Sequence, residues 1–213
     1  MCVGPEQLEV MSMPIPSFGS DELLVCVRAA SLNPVDFKFL AGSIKFINWL
    51  VGIPTCGAYC VPGSLFCLQW LCWRRNIRFL MLLGFDVAGY VVAAGKDCRR
   101  FHVGDEVFAM ADFTQRGALA EYCVIKEDRC AKKPQHLTYE DAAELSLVSQ
   151  TSWEALVERC NLKAGQKVLV LGGAGGTGSV AIQMALYCGA NVVATTASTR
   201  NVSFIYVFLN VLL

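Results

Sequence analysis

The stretch Lys167-Val-Leu-Val-Leu-Gly172-Gly-Ala-Gly175-Gly-Thr-Gly178-Ser-Val-Ala-Ile-Gln-Met-Ala-Leu-Tyr-Cys188-Gly-Ala-Asn-Val-Val-Ala-Thr-Thr196 decides the fold. Residues 167–171 form an aliphatic, β-branched run that suits a buried parallel strand. Residues 172–178 make a glycine turn. Residues 179–188 then predict a helix, stopped at Gly189, and 191–195 a second apolar strand. Strand, turn, helix and strand within about thirty residues are a βαβ unit.

Gly173, Gly175 and Gly178 match a G-x-G-x-x-G spacing. Such glycines allow the tight turn, the approach of backbone to a pyrophosphate, and the close packing of helix on strand. The helix N-terminus offers free N–H groups and a positive dipole end to phosphate. Gly176 and Thr177 complete the candidate phosphate loop. NAD readers place an acid about twenty residues past the glycines, on the ribose 2′-hydroxyl. Here no acid follows Glu158, and the second strand runs into Ser198, Thr199 and Arg200. Hydroxyls and a guanidinium suit a 2′-phosphate, so NADPH is the expected cofactor.

The 213 residues carry 18 basic and 18 acidic side chains, scattered along the chain, which gives no nucleic-acid groove. Mean hydropathy is +0.45, with the apolar excess in 46–83 and 202–213. Residues 1–20 hold Pro5, Pro14, Pro16 and two acids but no apolar core, unlike a cleavable signal. Cys26, Cys123 and Cys188 stand where a small apolar residue would serve, so the eleven cysteines are expected reduced and the chain cytoplasmic.

In order, 9–13 predicts a strand, and 21–30 another with Leu24, Cys26 and Arg28 on one face and Val25, Val27 and Ala29 on the other. Residues 31–38 turn into a short helix ending near Gly42. Strand patterns return at 84–92, 101–108, 117–125 and 131–134. Thr138 caps a helix, with Asp141 three residues on, and 151–160 predicts a further helix. A β-rich region at 1–150 thus precedes a nucleotide-binding half at 151–213.

Asn33-Pro-Val-Asp36-Phe-Lys38, Gly84-Phe-Asp-Val-Ala-Gly89, Val103-Gly-Asp-Glu-Val107, Gly117-Ala-Leu-Ala-Glu-Tyr122 and the glycine turn follow in that order. Together they resemble the zinc-independent quinone oxidoreductase branch of the medium-chain dehydrogenase/reductase superfamily. The resemblance implies a two-domain fold: a β-rich GroES-like domain, then an α/β Rossmann domain. It also implies NADPH-dependent reduction of quinones or α,β-unsaturated carbonyls, and a homodimer for the full-length family member. By the family's pattern Asn33 and Asp36 lie near the nicotinamide and acceptor, Lys38 serves the acceptor oxygen or rests on the surface, and Thr151 touches the nicotinamide end. Tyr122 is expected as a packed aromatic.

The family's Rossmann half continues past Arg200, so the domain is read as incomplete. Residues 43–83 are an unmatched insertion. A retained intron and an early stop account for both, and a catalytically inactive fragment or a nucleotide binder without turnover is the alternative product. Residues 46–73 carry no charge, which admits a membrane span, though Gly52, Pro54, Gly57, Pro62 and Gly63 oppose a continuous helix. Cys56, Cys60, Cys67 and Cys72 lack paired C-x2-C knuckles. In zinc-dependent alcohol dehydrogenases, the remaining alternative, the resemblance puts Cys where this chain has Asn33 and His where it has Phe85. The two histidines, His102 and His136, sit beside turns. No metal is expected.

Overall fold

The computed structural model describes residues 10–40, 83–111, 117–196 and 198–209, with 39–40 and 206–209 as backbone alone. The chain divides into two compact units, Met1–Ala143 and Glu144–Leu213. The division falls inside a helix, seven residues before the boundary expected at 150.

The first unit is built on β1 (Glu22–Ser31), α1 (Pro34–Leu40), β2 (Asp86–Ala94), β3 (Glu106–Met110), β4 (Tyr122–Lys126) and β5 (Cys130–Lys132). The strands form one sheet of order β4-β1-β2-β3-β5, antiparallel throughout. Leu23, Val25, Val87, Val91, Val107, Cys123 and Ile125, each 1% exposed or less, pack with Phe101 and Cys130 as the core of one face. The other face packs Ala88 against Ala142 and Ala143, with Phe108 and Tyr139 at the edge.

β1 departs from its sequence pattern. Val27 pairs with Gly89, but Ala29 pairs with Ala88, so Arg28 is an extra residue. A bulge of this kind turns the residues beyond it to the opposite face. Val27 therefore packs on the main core while Ala29 packs under Ala142 and Ala143. The strand expected at 9–13 is absent among the described residues: 10–19 pair with no strand, and Val10, Met11 and Met13 are exposed.

α2 (Tyr139–Trp153) begins with the predicted cap. The Asp141 N–H donates to Thr138 Oγ1 at 3.1 Å, and the Thr138 hydroxyl returns a bond to the Asp141 carboxylate at 2.8 Å. Two separate helices are not formed. α2 runs on to Trp153 and passes into a π-helical turn, Glu154–Arg159, where the Cys160 N–H reaches back five residues to the Ala155 carbonyl. No glycine or proline interrupts 139–160, so nothing in the sequence stops the helix.

The second unit holds β6 (Lys167–Val170), α3 (Gly176–Tyr187), β7 (Val192–Thr195) and α4 (Val202–Leu209). β6 and β7 are parallel, in register from Lys167↔Val192 to Val170↔Thr195. Ala181, Ile182 and Ala185 of α3 bury against Val193, Leu156 and Ile205. α3 starts at Gly176, three residues earlier than its pattern indicates, and Gly189 ends it with φ +81°. The predicted α/β half is one βαβ unit among the described residues, to which α4 adds Ile205.

Candidate functional site

The glycine turn is held from both sides. Gly172 adopts φ +76°, a conformation glycine takes without strain. Its N–H donates to Thr196 Oγ1 at 3.0 Å, and the Gly173 N–H donates to the Thr196 carbonyl at 3.1 Å. Thr195 Oγ1 donates in turn to the Val170 carbonyl at 2.7 Å. The two threonines that end β7 therefore fix the turn that ends β6.

The motif glycines divide their roles by space. A Cβ on Gly173 would stand 2.1 Å from Thr195 Oγ1 and 2.7 Å from Ile182 Cδ1, so this glycine permits α3 to pack on the sheet. A Cβ on Gly178 would meet the Gly172 carbonyl at 2.3 Å. At Gly175 a Cβ would meet nothing nearer than 3.4 Å. The chain itself has room for a side chain there, and its absence leaves open the approach to the helix end.

Gly175, Gly176 and Thr177 are exposed, and no acid lies in the first turn of α3. The first N–H groups of a helix lack intrahelical partners. Past β7, Ser198, Thr199 and Arg200 open a 3-10 turn and are all exposed. These residues suit a phosphorylated dinucleotide: free amides for a pyrophosphate, an open glycine, and two hydroxyls with a guanidinium for a further phosphate. Thr151 is exposed on α2, its hydroxyl bonded to the Leu147 carbonyl at 2.9 Å. Its neighbour Ser152, 1% exposed, donates to the Val148 carbonyl and contacts the Thr177 carbonyl at 3.1 Å, bringing this part of α2 to the glycine turn.

In the first unit, Asn33 precedes α1 and Asp36 lies in its first turn, while Lys38 sits in its last turn. Asp36 is 3% exposed. Its Oδ2 accepts the Asn33 N–H at 2.7 Å, and its Oδ1 accepts the Gly84 N–H at 2.9 Å. A carboxylate so occupied is an anchor for backbone. The Asn33 side chain bonds to Asp86, fully buried on β2, and to Ser31. Ser31 and Asp86 were not singled out from sequence. The signal was an acid inside the apolar run 85–92, since a buried charge needs partners. Lys38 is exposed, with no hydrogen bond or ion pair among the described residues.

Phe85 is buried, and His102 is exposed with Nδ1 3.9 Å from Asp105. No group of three or more potential metal ligands occurs among the described residues. The four cysteines at 56–72 and the uncharged run at 46–73 lie outside the described residues. No helix among the described residues is long and apolar enough to cross a membrane.

A family model, the alcohol dehydrogenase GroES-like domain, matches residues 19–135. The chain belongs to that family. With it comes membership of the medium-chain dehydrogenase/reductase superfamily. The GroES-like match covers the sheet unit from β1 to β5. The chain is 36% identical over 195 residues to the 2-methylene-furan-3-one reductase of Solanum lycopersicum, covering 88% of this chain and 43% of that one. It is 36% identical over 198 residues to the chloroplastic NADPH-dependent alkenal/one oxidoreductase of Arabidopsis thaliana, with 90% and 44% covered. Among solved structures, the quinone oxidoreductase from Coxiella burnetii superposes with a TM-score of 0.73 at 30% identity, over 96% of this chain and 56% of that one. The chain spans less than half the length of these two curated relatives.

Proposed function

We propose that this GroES-like family member serves an NADPH-dependent reductase of quinones or α,β-unsaturated carbonyls that works without zinc. The observation that carries the reading is the glycine turn tied to Thr196, with Gly175 open and Ser198, Thr199 and Arg200 exposed beyond the same strand. Gly175, Gly176, Thr177 and Gly178 would hold the pyrophosphate, and Ser198, Thr199 and Arg200 the 2′-phosphate. Thr151 would meet the nicotinamide end, and Gly173 keeps α3 close to the sheet. When bound, the reduced nicotinamide supplies a hydride.

A quinone or enone has an electron-poor carbon already. The protein's part is to orient the acceptor and to donate a hydrogen bond where negative charge grows on its oxygen. The Lys38 ammonium, exposed and without a partner among the described residues, is the donor we assign. Asp36 acts by positioning, since both its oxygens hold backbone amides. Asn33 and Phe85, an amide and a phenyl ring, stand where zinc-dependent relatives carry ligands. Names such as alkenal/one oxidoreductase and quinone oxidoreductase among the relatives support the substrate class. We assign a cytoplasmic setting and, for a full-length family member, a homodimer.

The test is a thermal-shift titration of the purified chain with NADPH and NADH in parallel. A ligand at 100 times its Kd stabilises the native state by about 2.7 kcal/mol. A shift with NADPH alone is expected, followed by enone turnover in the presence of NADPH. No shift with either nucleotide overturns the proposal.

A further inference from the structure

Thr196 follows the last residue of β7 and stands 18 positions past Gly178. That is the register at which a reader of NAD sets an acid on the ribose 2′-hydroxyl. Here a neutral side chain holds the place, and almost every polar group of the residue is engaged. Its N–H donates to the Val170 carbonyl at 3.3 Å, and its carbonyl accepts the Gly173 N–H at 3.1 Å. Its Oγ1 accepts the Gly172 N–H at 3.0 Å. Thr195 beside it commits its own hydroxyl hydrogen to the Val170 carbonyl.

A backbone N–H can only donate, so Thr196 Oγ1 is the acceptor towards Gly172. The hydroxyl hydrogen is left over. Among the described residues nothing accepts it, and Thr196 is exposed. The turn itself asks only for an acceptor at this point. A carboxylate would serve it, as Glu127 serves the amides of Arg99, Arg100 and Phe101 in the first unit. What threonine adds is an outward donor, and what it withholds is negative charge. A carboxylate here would accept a hydrogen bond from a ribose 2′-hydroxyl but repel a 2′-phosphate.

Resting on the function proposed above, we infer that Thr196 determines nucleotide choice: its hydroxyl donates to the ribose 2′-phosphate, and the lack of charge at this register admits that phosphate. The same oxygen holds Gly172, so recognition of the phosphate and the shape of the glycine turn meet on one atom. All the residues in this argument, from Val170 to Thr196, belong to the second unit.

The test measures, on the full chain, the Kd of 2′,5′-ADP and of 5′-AMP, which differ by the 2′-phosphate alone. Thr196→Asn and Thr196→Asp are alike in shape, and either can accept the Gly172 N–H. Outward, the first offers a donor and the second only a charged acceptor. Thr196→Asn is expected to bind 2′,5′-ADP within about three-fold of the unmodified chain, since one bond replaces another. Thr196→Asp should weaken it by about ten- to a hundred-fold, the scale of a hydrogen bond to a charged group, and bind 5′-AMP as tightly or tighter. Hydrogen exchange at Gly172 should stay slow in both. If Gly172 loses protection in either variant, Thr196→Ser against Thr196→Ala decides by the ratio of the two affinities, kept by serine and lowered about ten-fold by alanine. Unweakened 2′,5′-ADP binding by Thr196→Asp, equal loss of both nucleotides with Gly172 still protected, or an unchanged ratio in Thr196→Ala overturns the inference alone. Failure of the unmodified chain to bind either nucleotide overturns the function and this inference with it.

Discussion

The Asp36 carboxylate accepts the Gly84 N–H through Oδ1 at 2.9 Å, joining positions 48 residues apart. Its other oxygen accepts the Asn33 N–H. One buried side chain thus fixes the start of α1 to the approach of β2. Asp36→Ala would strand both donors and should cost about 3 kcal/mol, against about half that for Asp36→Asn, which keeps an acceptor. Hydrogen exchange at the Gly84 amide reads the loss directly, and unchanged protection would refute it.

The motif glycines should separate folding from binding. Gly173→Ala and Gly178→Ala place a methyl within 2.1 and 2.3 Å of fixed atoms, so both should melt earlier by several degrees, the effect of overpacking by about 1–3 kcal/mol. Gly175→Ala has room and should melt like the unmodified chain, yet lose NADPH affinity because its methyl fills the approach to the α3 amides. Melting curves with and without NADPH distinguish the three.

Arg200 should set nucleotide choice. Arg200→Ala is expected to weaken NADPH by about ten- to a hundred-fold, as for loss of hydrogen bonds to a charged group. NADH, without the 2′-phosphate, should be unaffected. Parallel titrations decide it, and equal loss for both nucleotides would remove Arg200 from the 2′-phosphate.

The contact of Tyr139 with Glu106 makes the first unit pH-sensitive at both ends of the scale. The Tyr139 hydroxyl donates to Glu106 Oε1 at 2.5 Å, and Lys133 Nζ, on a buried side chain, lies 3.1 Å from Oε2. Burial first, then the bond to Glu106 and its charge, push the Tyr139 phenol from its usual 10.0 up to about 12. A pKa raised by folding gives stability that is full below pH 10 and is lost as pH rises through about 12. The Tyr139 bond, then Lys133, hold Glu106 below its usual 4.5, so its contribution is present above that value and fades as pH falls through the lowered one. Tyr139→Phe should flatten the alkaline loss and return the Glu106 titration, followed by carboxyl carbon NMR, towards its usual range. An unmoved Glu106 titration would contradict the bond.

Thiol labelling should follow burial. Cys160 is exposed and should react in the native chain. Burial drives the Cys123 thiol far up and pushes Cys130 up to about 12, and thiols held protonated are poor nucleophiles. Both should resist alkylation until denaturant is added, as peptide mapping by mass spectrometry would show.

What the sequence disclosed was what depends on local pattern. The strand–glycine–helix–strand run, the Thr138 cap and the stop at Gly189 each rest on residues within a few positions of one another. The bulge at Arg28 was hidden because alternation along β1 says nothing of its pairing with β2. The continuity of α2 into its π turn was hidden because two helical patterns abut there without a breaker. Around the candidate site, the glycines were legible, but the hands that hold them were not. Thr196 reaches Gly172 across 24 residues, and Asp86 reaches Asn33 across 53. Such partners are chosen by sheet register, which a list of motifs does not contain.

The pairing of Ser31 with Asp86 has a further consequence. β1 and β2 are zipped from that point, and Asp36 clips Gly84 just outside it, so whatever chain runs between them begins and ends at fixed posts. Loop closure costs only about 0.6 kcal/mol more for each doubling of length. The sheet is therefore nearly indifferent to how many residues are spliced in at this point. As far as closure entropy goes, β1 and β2 would keep their register over a wide range of lengths between those two posts.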